Sequence, residues 1–246
     1  MKLENKIDKF NKQIAIILGS LAYHISPEIV KYISEQNKKD FDIFSYLFND
    51  MIDIKHYLFE DSDCVFPGVR RYISGEGVKK KYNPKYKAII DDNTFPRHIW
   101  CFLINGNCYN GPNWKKTNLD EFELAHIFTP KETEMNIEKN YFKKIDENIC
   151  PYGEFTSAAN VILLPKGTVR PTDNSRVIKS IFFKRYIDLY GENTLNGRSG
   201  FKEDTIPDWY SEIQWNDLFL PDNWQRNIDK LLEYRRRRIE EILIRQ

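Results

Sequence analysis

Two short apolar runs constrain the middle of this chain most, because one contains a histidine and the other has an asparagine near its start. The first run is Leu124-Ala125-His126-Ile127-Phe128, and the second is Ala159-Asn160-Val161-Ile162-Leu163-Leu164-Pro165. Short apolar runs bounded by turn residues predict buried strands. Side chains alternate along a strand, so Leu124 and His126 should face one way and Glu123 and Ala125 the other.

The residues before the histidine predict the other half of a β-hairpin. Residues 99–104 form an apolar run that we interpret as a strand, with residues 122–128 as its returning partner. Asparagine and glycine at 105–107 and 110–113 supply turn chemistry between them. Residues 129–150 are charged and predict a partly helical insertion. The amphipathic stretch 177–187 predicts a helix that Asp173 or Ser175 can cap.

Both ends of the chain predict helices. Residues 1–62 form an N-terminal helical region, in which Ser26 can cap a helix that has Pro27 in its first turn. The apolar segment 14–22 is expected to be a buried helix in preference to a secretory signal. Residues 196–246 form a C-terminal helical region whose last helix, 224–245, has an apolar face that includes Ile228, Leu231 and Leu232.

A basic stretch lies within residues 63–94. Its net positive segment, 69–87, interleaves tyrosines with cationic side chains, of which the candidates for nucleic-acid contact are Arg70, Arg71, Lys79, Lys80 and Lys81. Such a segment can lie along a phosphate backbone, or it can be a solvated surface loop, and the sequence favours neither. The net charge of the whole chain is only +1, so a nucleic-acid surface requires uneven placement of charge.

Cysteine usage and hydropathy bear on location. The four cysteines are irregularly spaced, which is typical of reduced thiols and predicts a cytoplasmic protein. They do not form the paired Cys-x-x-Cys spacing of a zinc knuckle, so a structural zinc ion is not expected. No apolar run reaches the length of about 18 residues that a membrane span requires, and no membrane partner is predicted.

The histidine and the asparagine suit one kind of chemistry. Cutting a phosphodiester requires a base that activates water, a divalent cation that stabilises charge, and a scaffold that holds both. The pKa of histidine lies close to neutrality, so it serves well as the base. Two strands and a helix packed together supply these positions with few residues.

Residues 100–190 resemble the HNH (ββα-metal) nuclease family in its Ala-His-Ile variant. The matching residues are Ala125-His126-Ile127, the run Asn160 to Pro165, and Asp173, and the stretch 101–106 is also similar. The resemblance implies an α+β fold with a ββα-metal core over residues 95–195, flanked by the helical additions. It also implies a hydrolytic endonuclease that uses one divalent ion, with His126 as general base and Asn160 as organiser of the facing loop.

The metal ligands that the resemblance implies depart from the family pattern. Residues 166–170 contain no histidine where the family usually has a metal ligand, and Ala125 replaces a frequent aspartate. By position, Asp173 and Asn174 are the predicted ligands of Mg²⁺, or alternatively Mn²⁺, and Glu123 is a weaker candidate. Asp173 can equally be a helix cap. Three cationic residues around the site are predicted to grip phosphate: Lys166, Arg170 and Arg176.

These features together predict a metal-dependent DNA endonuclease. The size of the helical additions favours sequence recognition within a bacterial restriction or phage-defence system, and a cutter of palindromes would be a homodimer. The basic stretch and the arginines at 235–238 would grip the duplex. Two alternatives stay open: a nucleic-acid-binding module with a decayed site, and a non-enzymatic partner protein.

Overall fold

Helices supply most of the secondary structure, with short strands between them. The computed structural model describes residues 3–48, 62–66, 68–70, 82–83, 88–91, 94–117, 120–128, 156–191 and 206–244. In chain order the elements are α1 (Leu3–Leu21), α2 (Pro27–Phe48), β1 (Gly68–Arg70), β2 (Tyr82–Asn83), β3 (Ala88–Asp91), α3 (Thr94–Asn105), α4 (Gly111–Lys115), β4 (Phe122–His126), β5 (Val161–Pro165), α5 (Val169–Asn174), α6 (Arg176–Tyr190) and α7 (Trp224–Ile244). Two 3₁₀ turns, Ala158–Asn160 and Asp208–Glu212, complete them. The predicted α+β class is confirmed.

The chain divides into two units that interleave along the sequence. The first unit comprises Met1–Ile25, Glu121–Tyr141 and Val161–Phe219, and the second comprises Ser26–Asp120, Phe142–Asn160 and Leu220–Gln246. The predicted divisions after residues 62, 94 and 195 stay predictions. Within the ranges given above, no helix is both long enough and apolar enough to cross a membrane.

The predicted hairpin over residues 95–128 is wrong, because residues 99–104 lie in helix α3. Their apolar run is too short to reveal its period alone, but Phe95, Ile99, Phe102 and Leu103 recur at helical spacing and are all buried. Pro96 fits the first turn of that helix, where it sacrifices no intrahelical hydrogen bond. Residues 110–113, predicted as a turn, instead begin α4 (Gly111–Lys115), and Asn110 caps it by accepting a hydrogen bond from the Asn113 N–H at 2.7 Å.

The helices at the two ends largely match their predictions. Helix α2 begins at Pro27, and the hydroxyl of Ser26 accepts a hydrogen bond from the Glu28 N–H at 3.3 Å. The aromatic run at 41–48, expected as a second helix, continues α2 without a break. In α7 the predicted apolar face is buried at Ile228, Leu231 and Leu232.

The second unit contains a small mixed sheet that the sequence did not predict. Strand β3 lies in the middle, pairing in parallel with β1 and antiparallel with β2. Arg70 ends β1 opposite Asp91. The other predicted cationic candidates of this stretch, Arg71 and the lysines at 79–81, lie outside the described residues.

A buried arginine ties α7 to α2 within the second unit. The side chain of Arg235 is fully buried, and its Nη1 donates to Asn37 Oδ1 at 2.6 Å, while its Nη2 lies 3.4 Å from Asp40 Oδ2. Burial lowers the pKa of Arg235 to about 10, although Asp40 opposes the shift. The prediction that the arginines at 235–238 grip a duplex is therefore wrong for Arg235. A guanidinium without solvent exposure cannot reach a phosphate backbone.

The first unit is built around the strand pair β4–β5 and helix α6. Phe128, which follows β4, stacks on Phe183 of α6 at 4.9 Å and meets the edge of Tyr186 at 5.0 Å. Tyr23 forms a backbone bridge with Leu163 of β5. Two strands and a helix thus pack together in this unit.

A second histidine is buried in the same unit. The ring of His24 stacks on Phe182 at 6.0 Å and meets the edge of Trp215 at 5.6 Å. Burial, and then the positive charge of Arg185, lower the pKa of His24 to about 3, against a hydrogen bond with the Ala22 backbone that raises it. His24 is therefore neutral in the folded protein at all ordinary pH values.

The protein should lose stability in mild acid through His24. The unfolded chain binds a proton at this residue below pH 6.5 and the folded chain does not, so the contribution of His24 is complete above pH 6.5 and is lost as the pH falls toward 3. The free energy of unfolding should fall by up to about 1.4 kcal/mol for each pH unit below 6.5. Urea unfolding of the wild type and His24→Phe at several pH values measures it. The phenylalanine variant should show a flatter dependence, and parallel curves would refute the assignment.

Candidate active site

The predicted catalytic histidine ends a strand, as expected. Strand β4 pairs antiparallel with β5, with His126 opposite Val161 and Glu123 opposite Leu164. His126 is half-buried, and its Nε2 atom is shielded from solvent. Alternation along β4 puts Glu123 on the opposite face from His126, as predicted.

The predicted asparagine directly precedes the cross-strand partner of the histidine. Asn160 ends the 3₁₀ turn Ala158–Asn160 in the second unit and is bonded to Val161 of the first. Cα atoms of an antiparallel pair lie at most about 5.5 Å apart, and adjacent Cα atoms lie about 3.8 Å apart. The Cα atoms of His126 and Asn160 are therefore separated by no more than about 9 Å, whatever the arrangement of the two units.

A buried aspartate fixes the turn that carries Asn160. The carboxylate of Asp63 accepts hydrogen bonds from the Ser157 hydroxyl at 2.6 Å and from the Ala159 N–H at 2.7 Å. Burial raises the pKa of Asp63, whereas these hydrogen bonds lower it. The backbone of Cys64 also bridges to Ser157, so the short segment 62–66 holds the turn in place. Sequence reasoning missed Asp63, since its partners lie more than ninety residues away.

Glu123 has a structural use in the turn that follows β5. One of its carboxylate oxygens accepts a hydrogen bond from the Gly167 N–H at 2.9 Å. Gly167 has φ of +80°, a conformation that glycine adopts without strain. Lys166 is exposed in the same turn, and its N–H donates to the Glu121 carbonyl at 2.8 Å. Glu123 therefore stabilises the turn that follows Pro165, at the end of the strand pair away from His126, and its role as a metal ligand stays a prediction.

The remaining predicted site residues lie around the start of α6. Arg170, Asp173 and Asn174 are in α5, and their side chains are outside the described set. Ser175 caps α6 by accepting a hydrogen bond from the Ile178 N–H at 3.3 Å, so of the two predicted caps the serine is the one used. Arg176 is exposed in the first turn of α6, at the end of the helix that bears partial positive charge.

In chain order the first unit contains α1, the strands β4 and β5, and the helices α5 and α6, with the histidine at the end of the first strand. Among the side chains that the structure describes, no three acidic, histidine or cysteine groups lie together as a metal site. Comparison with family models, curated proteins and solved structures gives no match for this chain. Its function must therefore be argued from the residues themselves.

Proposed function

We propose that this protein is a metal-dependent DNA endonuclease that hydrolyses phosphodiester bonds. The single observation that carries the proposal is the pairing of His126 with Val161, because it brings the asparagine bonded to Val161 close to the histidine. A lone histidine is weak support for catalysis. A histidine and an asparagine from distant parts of the sequence, whose Cα atoms the pairing keeps within about 9 Å, support it better.

His126 would act as the general base. Because Nε2 is shielded from solvent, transfer of the proton from the attacking water would take place at Nδ1. The neutral ring then carries its hydrogen on Nε2. Asn160 would organise the facing loop, and the hydrogen bonds of Asp63 to that turn would keep it rigid.

The chemistry of the available donors suits a hard divalent cation, Mg²⁺ or Mn²⁺. Asp173 and Asn174 would supply carboxylate and amide oxygens, which such ions prefer. Both residues lie in α5, in the same unit as His126. A bound cation would stabilise negative charge on the scissile phosphate and the leaving oxygen.

Cationic residues would hold the DNA. Lys166 and Arg176 are exposed, and together with Arg170 they would contact the scissile phosphate. The basic stretch with Arg70, Arg71 and Lys79–81 would contact the duplex further away. We assign the protein to sequence-specific cleavage in a bacterial restriction or phage-defence system, acting in the cytoplasm as a homodimer.

Incubation of the purified protein with supercoiled plasmid and with short duplexes tests this function. We expect nicked and linear DNA with Mg²⁺ or Mn²⁺, intact DNA with EDTA, and a shifted duplex in both conditions at low salt. Binding without cleavage under every divalent ion would favour a nucleic-acid-binding module with a decayed site. Neither binding nor cleavage at low salt would favour a non-enzymatic partner protein.

A further inference from the structure

Helix α1 carries an unusual stripe of exposed apolar side chains. Seven large apolar residues are exposed among those described, and five of them lie on this one helix. Their exposed fractions are 71% for Leu3, 51% for Ile7, 59% for Phe10, 51% for Ile17 and 41% for Leu21. With Ile14, which is partly exposed, they recur at alternating intervals of four and three residues. That interval is the heptad spacing of a coiled-coil seam.

The stripe is not the face that α1 uses for its own fold. Ala15, Leu18 and Gly19 are buried, and a Cβ at Gly19 would collide with Ile213. At 3.6 residues per turn the stripe lies about 100° around the helix from that buried face. Every residue from Leu3 to Phe10 is exposed, although the indole N–H of Trp209 donates to Asp8 Oδ1 at 3.4 Å within the same unit. A partner along the stripe would add stability to these first two turns.

We propose that the stripe is the seam of a homodimer, in which α1 of two copies pack side by side in parallel. The exposed fractions amount to roughly 500 Å² of apolar surface per copy, taking about 200 Å² for a large side chain. Two copies would then bury roughly 1,000 Å², which reaches the lower range of specific interfaces. A parallel arrangement puts the first two turns of the two copies, in which every described residue is exposed, side by side.

Charge and width favour a second copy over a membrane surface. The six positions fall within about 80° of the helix circumference, which is narrower than an interfacial apolar face. The polar side of the same helix mixes Lys6, Lys9 and Lys12 with Glu4 and Asp8, whereas membrane-surface helices are rich in lysine and arginine alone. In the parallel pair Lys6 would face Asn11 of the second copy, so no like charges meet.

Sedimentation velocity of the full chain, without DNA or divalent metal, tests the seam. The wild type should give a molar mass of twice the chain mass of 29.4 kDa. The double variant Ile7→Asp/Phe10→Asp should give the mass of a single chain. The control Asn5→Asp/Lys9→Gln makes the same change of net charge on exposed positions of the other side and should stay dimeric. Because Ile7 and Phe10 are exposed, the Asp double variant should still fold and give a helical circular dichroism spectrum, and its Tm should be lower because no partner stabilises it.

A second variant tests the parallel arrangement. Ile7→Cys should form an intermolecular disulfide on mild oxidation, since equivalent positions meet across a parallel seam. A monomeric wild type overturns the proposal, whether or not that monomer floats with vesicles containing phosphatidylserine. A dimer that persists in the Asp double variant overturns it as well. Loss of the dimer and loss of DNA cleavage are measured separately, so failure of the seam leaves the nuclease proposal to its own test.

Discussion

Replacing His126 with alanine should lower the rate of plasmid cleavage by about 10²–10⁴-fold, the usual contribution of a positioned general base. Without the imidazole, the proposed site loses the group that takes the proton from water. Duplex binding should be unchanged, because cationic side chains elsewhere supply it. Single-turnover cleavage in Mg²⁺ gives the rate, and a mobility shift in the same buffer without divalent ion gives the affinity.

Two controls separate catalysis from folding in this experiment. Glu121→Gln changes an exposed residue next to β4 and should cut DNA at the wild-type rate. The Tm of His126→Ala should stay close to the wild-type value, since the side chain is only half-buried. If His126→Ala cuts within threefold of the wild type, the histidine is not the base.

Replacing Arg235 with methionine should cost about 1–3 kcal/mol of folding free energy, the penalty for leaving a buried acceptor such as Asn37 Oδ1 without its donor. The substitution removes the donor that serves Asn37 Oδ1 and approaches the carbonyls of Cys64 and Val65 at 3.4 Å. It also leaves Asp40 with Arg236 as its ion-pair partner at 3.1 Å. Methionine has a similar volume to arginine, so a new cavity contributes little to the loss of folding free energy.

The free energy of unfolding in urea measures this cost, and the same helix offers a matched control. Arg237 pairs with Glu233 at 3.8 Å, and both side chains are about two-thirds exposed. Its replacement by methionine should change stability by less than about 1 kcal/mol, as for other surface pairs. Equal losses from the two substitutions would mean that Arg235 is not the tie between α7 and α2.

Features set by local sequence could be predicted. The period of the apolar residues in α7, the cap at Ser26 and the cap at Ser175 all depend on neighbours within a turn or two. The strand containing His126 could also be found, because its flanking turn residues and short apolar run are local signals.

Features that depend on contacts between distant residues could not be predicted from the sequence. The run at 99–104 carries no period of its own, so its helical state depends on burial against other elements. The choice of β5 as the partner of β4, the burial of Arg235 beside Asn37 and the hold of Asp63 on the asparagine turn all join residues far apart in sequence. A run of arginines looks like an exposed basic patch until its partners are known.

Anomalous diffraction from crystals soaked in Mn²⁺ would examine the proposed site most directly. The expected result is one strong peak between His126 and the α5 residues Asp173 and Asn174, with oxygen ligands at about 2.0–2.3 Å. A crystal that takes up Mn²⁺ elsewhere and leaves this position without a peak would contradict the assignment of His126 and Asp173 to a metal-dependent nuclease site.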